Sequence, residues 1–150
     1  MKLKLPPALI FVIFGGFMYA LDVLLPVGEF DFFGRIWLIR LLLVLGISMG
    51  GISLLQFMKA KTTIDPLAPA KSSRLVTNGV YKISRNPMYL ALLLLLFAFG
   101  LWLGNVFNTL LAAGFVSYMN AFQIIPEEKA LVKLFGKEYQ QYCIQVRRWF

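Results

Sequence analysis

The stretch YKISRNPMYLALLLLLF, Tyr81 to Phe97, sets an arginine, an asparagine, a proline and two tyrosines at the mouth of an apolar run. A second polar pair, Glu127-Glu128, follows Pro126 at the end of another apolar run. The chemistry open to these residues is narrow. A guanidinium pairs with a carboxylate, a carboxylate holds a cation or receives a proton, and an aromatic ring faces a cation. Histidine is absent and Cys143 is the single cysteine. The commonest general base and metal ligand is therefore missing, and one chain cannot form a disulfide framework or a cysteine metal site.

The elements that must hold these residues follow from composition. The chain has 150 residues, 59% hydrophobic and 15% charged, which is more apolar than a soluble domain and reads as an all-α integral membrane protein. Four stretches approach the roughly 20 apolar residues a spanning helix needs. They run from Ala8 to Leu25, Ile36 to Phe57, Met88 to Gly104 and Val106 to Ile125. The first has a secretory signal as its alternative, because Lys2 and Lys4 precede its core; the lack of a small-x-small cleavage site and its length oppose that. The third and fourth abut at Gly104-Asn105. As one helix of about 38 residues they would be roughly twice the membrane thickness, so a tight hairpin is expected.

Charge sets the orientation. Asp22, Glu29, Asp31 and Arg35 lie near or between the first two spans. The loop 58–87 carries Lys59, Lys61, Lys71, Arg74, Lys82 and Arg85, and the tail carries Lys129, Lys133, Lys137, Arg147 and Arg148. With Lys2 and Lys4, these basic groups fall on one face, which the positive-inside rule makes cytoplasmic. Both termini are then inside, as in a bacterial inner membrane protein of four spans. The net charge of +8 does not indicate nucleic acid, since the basic residues flank spans and have no separate soluble domain.

Within the second span, Gly46, Gly50 and Gly51 with Ser48 and Ser53 offer a small-residue surface for a neighbouring helix. A cofactor-binding glycine motif is the alternative. Arg40 reads as a snorkelling or interhelical contact, or else as facing a cavity. The loop 58–87 opens like a linker, but Leu75, Val76, Val80, Tyr81 and Ile83 alternate with polar residues around the turn signal Asn78-Gly79. Its second half should fold back on the membrane face. Asn86 is placed to cap the third span, with Pro87 as its first helical residue. Helix initiation does not account for Arg85 or Tyr89. Pro126, Glu127 and Glu128 likewise suit a first helical turn. The following helix, 127–143, puts Leu131, Leu134, Phe135, Tyr139 and Tyr142 at three- and four-residue spacing, and reads as an interfacial anchor or a lid.

Taken together, LVTNGVYKISRNPMY at Leu75 to Tyr89, preceded by TTIDP at Thr62 to Pro66, resembles the Gly-x-Tyr-x-x-x-Arg-(His/Asn)-Pro-x-Tyr signature of the membrane methyltransferases. That family includes isoprenylcysteine carboxyl methyltransferase and the phospholipid N-methyltransferases. The segment Asn120 to Phe150 is similar to its second signature, a Glu-Glu pair followed by Phe-Gly-x-x-Tyr-x-x-Tyr and a basic-aromatic end. The two cover about half the chain and bracket a helical hairpin. The resemblance implies an S-adenosylmethionine site at the cytoplasmic face, formed by the loop and the C-terminal amphipathic helix. Carried over by position, Gly79, Tyr81, Arg85, Asn86, Pro87 and Tyr89 would supply one wall, and Glu127 and Glu128 the other. Arg85 and Glu128 would be the catalytic pair, and a lipid-like or small hydrophobic substrate would enter from the bilayer. Asn86 replaces the histidine frequent in the prenylcysteine enzymes, and Gln123-Ile124-Ile125-Pro126 and the Val146-Arg147-Arg148-Trp149 end also depart from them. The cofactor half of the resemblance thus transfers better than the substrate half.

The implied chemistry suits the residues. Methyl transfer from a sulfonium is an in-line displacement in which the protein mainly positions and desolvates, so a missing histidine is no obstacle. A carboxylate acceptor needs no base, whereas an amine must lose a proton to a nearby carboxylate or tyrosine. For the cofactor, a glutamate suits the ribose or ammonium, Arg85 the carboxylate, and Tyr81 or Tyr89 the adenine or sulfonium. The competing readings are a nicotinamide-dependent reductase of related fold and a non-catalytic membrane protein.

Overall fold

The computed structural model describes residues 5–26, 28–60 and 75–150, so Lys2, Lys4 and the Thr62 to Pro66 stretch lie outside the described residues. Among these residues six α-helices succeed one another: α1 Pro7–Leu24, α2 Arg35–Ala60, α3 Pro87–Leu103, α4 Asn108–Met119, α5 Ile125–Phe135 and α6 Lys137–Gln145. A short 3₁₀ turn, Gly79–Lys82, precedes α3. No β-strand occurs among the described residues.

Among the described residues three helical stretches are long and apolar enough to cross a membrane: Pro7–Leu24, Arg35–Lys59 and Asn108–Phe135. The third expected span, α3, is an apolar helix of 17 residues, at the short end of the spanning range of about 17 to 25. It is also the central one, since α1, α2 and α4 all pack on it. Leu90, Leu93 and Leu96 are buried there beside Ile10, Met18 and Phe115. By contrast, α2 leaves Trp37, Leu41, Val44, Ile47, Ile52 and Leu55 exposed, an arrangement suited to lipid rather than water.

Between α3 and α4 the chain turns as a hairpin. Gly104 sits at φ 81°, a left-handed cap that glycine adopts without strain. The Asn105 side chain donates to the Leu25 carbonyl at 3.1 Å and accepts from the Phe107 amide at 3.0 Å. Backbone hydrogen bonds from Phe30 to Gly104 and from Val106 to Gly28 join the first loop to this turn. Arg35 closes the same end by donating to the carbonyls of Phe30 and Trp102.

At the other end two details depart from the sequence reading. Helix continues from α4 through a π-helical turn, Asn120–Ile124, into α5. Pro126 explains the turn: it lacks an N–H and its ring crowds the carbonyl four residues back, so the ladder ahead of it widens. The extra residue shifts the phase of α5 relative to α4 by roughly 100°. The helix expected over 127–143 is in fact two, broken at Gly136, whose φ of 53° and ψ of −122° admit essentially only glycine.

Candidate active site

One cavity of about 580 Å³ lies where the start of α3, the start of α5, α6 and the 3₁₀ turn converge, a size suited to a small-molecule site. Tyr81, Arg85, Asn86, Pro87, Tyr89, Glu127 and Glu128 all line it. Gly79 does not. At φ 63° it lets the loop press on α2, where the Gln56 amide donates to the Asn78 carbonyl at 3.1 Å. A Cβ at position 79 would stand 1.7 Å from Gln56 Nε2.

The cavity is polar at one end only. Its other walls are Gly46, Gly50 and Leu54 of α2, Ala91, Leu92 and Leu95 of α3, and the start of α1. The small residues of α2 are therefore a packing face and a cavity wall at once. A Cβ on Gly46 would meet Leu95 at 3.0 Å, and one on Gly50 would meet Ala91 at 3.4 Å. Arg40 stacks over the Trp37 ring, 5.0 Å from its centroid, and is not among the lining residues.

The two glutamates turn to different partners. Arg148 grips Glu128 through Nε to Oε1 at 3.1 Å and Nη2 to Oε2 at 2.7 Å. Arg85 Nη2 approaches Glu128 Oε1 at 3.2 Å. The hydrogen bonds from Arg148 hold its guanidinium still more firmly protonated than usual. Glu127 instead accepts a hydrogen bond from the Tyr89 hydroxyl, and among the described residues it has no cationic partner. Arg85 also donates to Cys143 Sγ, and its buried Nε finds no acceptor among the described residues.

Asn86 stands at the cap position but makes no side-chain cap there. Its amide donates to the Arg148 carbonyl at 2.9 Å, because the C-terminal segment passes within reach. The Ser84 hydroxyl, which also donates to that carbonyl, accepts from the Asn86 backbone at 3.1 Å. Tyr81 is fixed from three sides: its hydroxyl shares a 2.6 Å hydrogen bond with Ser53, its carbonyl accepts from Tyr142 at 2.6 Å, and its ring meets Phe57 edge-on. Burial pushes the Tyr81, Tyr139 and Tyr142 phenols well above their ordinary range, so all three stay protonated. Sequence reasoning gave Ser53 only a packing role and treated Arg148 as part of a basic end. The spacing of neither residue signals its contact.

A family model described as phospholipid methyltransferase matches residues 34–138. An uncharacterized protein of Haemophilus influenzae is 50% identical over 62 residues, which make up 41% of this chain and 98% of that protein. No solved structure matches the chain.

Proposed function

The chain belongs to the phospholipid methyltransferase family, and from that premise we propose that it is an S-adenosylmethionine-dependent methyltransferase acting on a lipid-like substrate at the cytoplasmic membrane face. Membership implies a methyltransferase, and with three apolar helices of spanning length it makes the chain an integral membrane protein. The observation that carries the rest is a cavity with a charged, aromatic end and an apolar arm between α2 and α3.

The donor set fits the cofactor. S-adenosylmethionine, when bound, supplies an electrophilic methyl group on a sulfonium. Glu127 is the uncommitted carboxylate for a cationic or hydroxyl group, the orphaned Arg85 Nε is a donor for a carboxylate, and Tyr81 and Tyr89 offer aromatic faces. Burial of these groups strengthens each contact by excluding water. The apolar arm suits the hydrocarbon part of an acceptor whose polar end reaches Glu127.

Among acceptors, an amine makes most use of this arrangement. It must shed a proton before or during attack, and Glu127 is the lining carboxylate not already held by a guanidinium. The Tyr89 hydroxyl, donating to Oε1, fixes the carboxylate and leaves Oε2 to take that proton. A carboxylate acceptor would instead leave Glu127 to the cofactor alone.

Calorimetric titration of purified protein with S-adenosylhomocysteine tests the reading, wild type beside Arg85→Ala and Glu128→Gln. Binding to wild type, weakened in both variants, is expected. No heat of binding in wild type would remove the methyltransferase reading, and unchanged affinity in both variants would remove the residue assignments.

A further inference from the structure

The last residues of the chain lie beyond the part that matches the family model, which ends at 138, yet they hold the two walls of the cavity together. The Arg85 amide donates to the Arg147 carbonyl at 3.0 Å. The Arg148 carbonyl accepts from Ser84 and from Asn86. Both sets of contacts fasten the segment to the start of α3. The Arg148 side chain meanwhile crosses to Glu128 at the start of α5, and Trp149 Nε1 donates to Asn120 Oδ1 at 3.1 Å, in the π-helical turn. Val146 is buried with Tyr81, Tyr139 and Tyr142, against which Cys143 also packs.

Arg148 itself does not line the cavity; what it touches does. Its bidentate grip fixes the plane of the Glu128 carboxylate, which an ammonium from lysine could not do as well because a guanidinium is a rigid fork. Glu128 in turn holds Arg85. The side chain of Arg148 is 35% exposed against 16% for Glu128, so it covers the carboxylate from outside.

We propose that the segment 146–149 is a clasp closing the cofactor cavity, and that Arg148 is a positioning residue acting through Glu128 on Arg85. This rests on the methyltransferase reading for its ligand and on geometry alone for the clasp. Fixing two charged groups in advance saves the ligand the cost of ordering them on binding.

The test combines two measurements on the full-length protein in detergent. The first is the affinity for S-adenosylhomocysteine of wild type, Arg148→Ala, Arg148→Lys, Glu128→Gln and the double variant. Arg148→Ala should lose tenfold or more in affinity, Arg148→Lys distinctly less, and the double variant should be no worse than Glu128→Gln alone. Affinity of Arg148→Ala within twofold of wild type, or losses that simply multiply in the double variant, would overturn the proposal. The second is the rate at which Cys143, the single cysteine, reacts with a maleimide without ligand, well below the unfolding temperature. Arg148→Ala should react several-fold faster than wild type and Arg148→Lys close to it. If wild type binds no S-adenosylhomocysteine, the methyltransferase reading fails and the labelling rates decide the clasp, equal rates in wild type and Arg148→Ala overturning it.

Discussion

The Tyr89 hydroxyl donates a hydrogen bond to Oε1 of Glu127, joining the first turn of α3 to the first turn of α5. The neighbouring Glu128 has no share in this contact and answers to two arginines instead. Adjacent carboxylates thus do different work. One is bound into an ion-pair network that supports the walls, and the other is left for whatever enters the cavity.

Glu127→Gln should therefore remove function with little loss of fold. Glutamine can still accept from Tyr89 but takes up no proton, so transfer to an amine should fall about 100-fold, the lower end for loss of a general base. Incorporation of labelled methyl groups into a lipid extract, set beside an unchanged melting temperature, checks this. An activity near that of wild type would remove Glu127 as the proton acceptor.

Glu128→Gln should show the reverse weighting. It leaves Arg85, with an 11% exposed side chain, without its anion. Breaking a largely buried pair from one side costs about 3 kcal/mol. Denaturant unfolding in detergent should show that loss, and Glu127→Gln much less of it.

Gly79→Ala tests the turn that delivers Tyr81. The new Cβ would collide with Gln56 Nε2, and the positive φ would remain strained. Measured against Gln56→Ala, which by itself loses the hydrogen bond to the Asn78 carbonyl, Gly79→Ala should cost only roughly 1 kcal/mol, from the left-handed backbone. A double variant as stable as Gln56→Ala alone would show that the glycine is there for space alone.

The two glycines of α2 make a graded pair. A methyl at position 46 presses on Leu95 and the Ala91 carbonyl, whereas one at position 50 only reaches van der Waals contact with Ala91. Gly46→Ala should destabilise by about 1 to 2 kcal/mol, as overpacking does, whereas Gly50→Ala, which meets no clash, should be neutral or slightly stabilising because alanine is the better helix former. Thermal unfolding of the two single variants, scanned side by side, tests the order.

How much of this could be read in advance depended on the range of the interaction. The helix start at Pro87 and the turn at Gly104-Asn105 were legible, because proline and glycine fix backbone geometry locally, whereas the start read at Pro126 is a widened turn inside a continuing helix. The break at Gly136 was missed, since the amphipathic spacing runs through it without interruption. The π-helical turn also escaped, although Pro126 is its local cause. At the candidate site, the positions of Arg85, Tyr89, Glu127 and Glu128 were expected, but their pairing was not. Arg148 lies 20 residues beyond Glu128 and 63 beyond Arg85, and no periodicity links side chains at such distances. The capping role read for Asn86 failed for the same reason: the Arg148 carbonyl, distant in sequence, holds its side chain through Nδ2, and no side-chain cap forms.

The tyrosine cluster predicts an alkaline limit to stability. Tyr81, Tyr139 and Tyr142 are buried, and each phenol is held above its ordinary value of 10.0, mainly by desolvation. In the unfolded chain the same groups ionise near 10, so above that pH the folded state binds more protons than the unfolded one. A raised folded-state value therefore contributes stability in full below pH 10 and loses it as pH rises through the folded value, by about 1.4 kcal/mol per pH unit for each phenol. Unfolding midpoints measured from pH 8 to 11 should stay level to about 10 and then fall. Tyr81→Phe should lower the plateau, because Ser53 loses its buried partner, and should make the fall shallower by one proton. A Tyr81→Phe profile parallel to that of wild type above pH 10 would mean that Tyr81 ionises freely in the folded protein, and that the aromatic cluster beside the cavity opens to water.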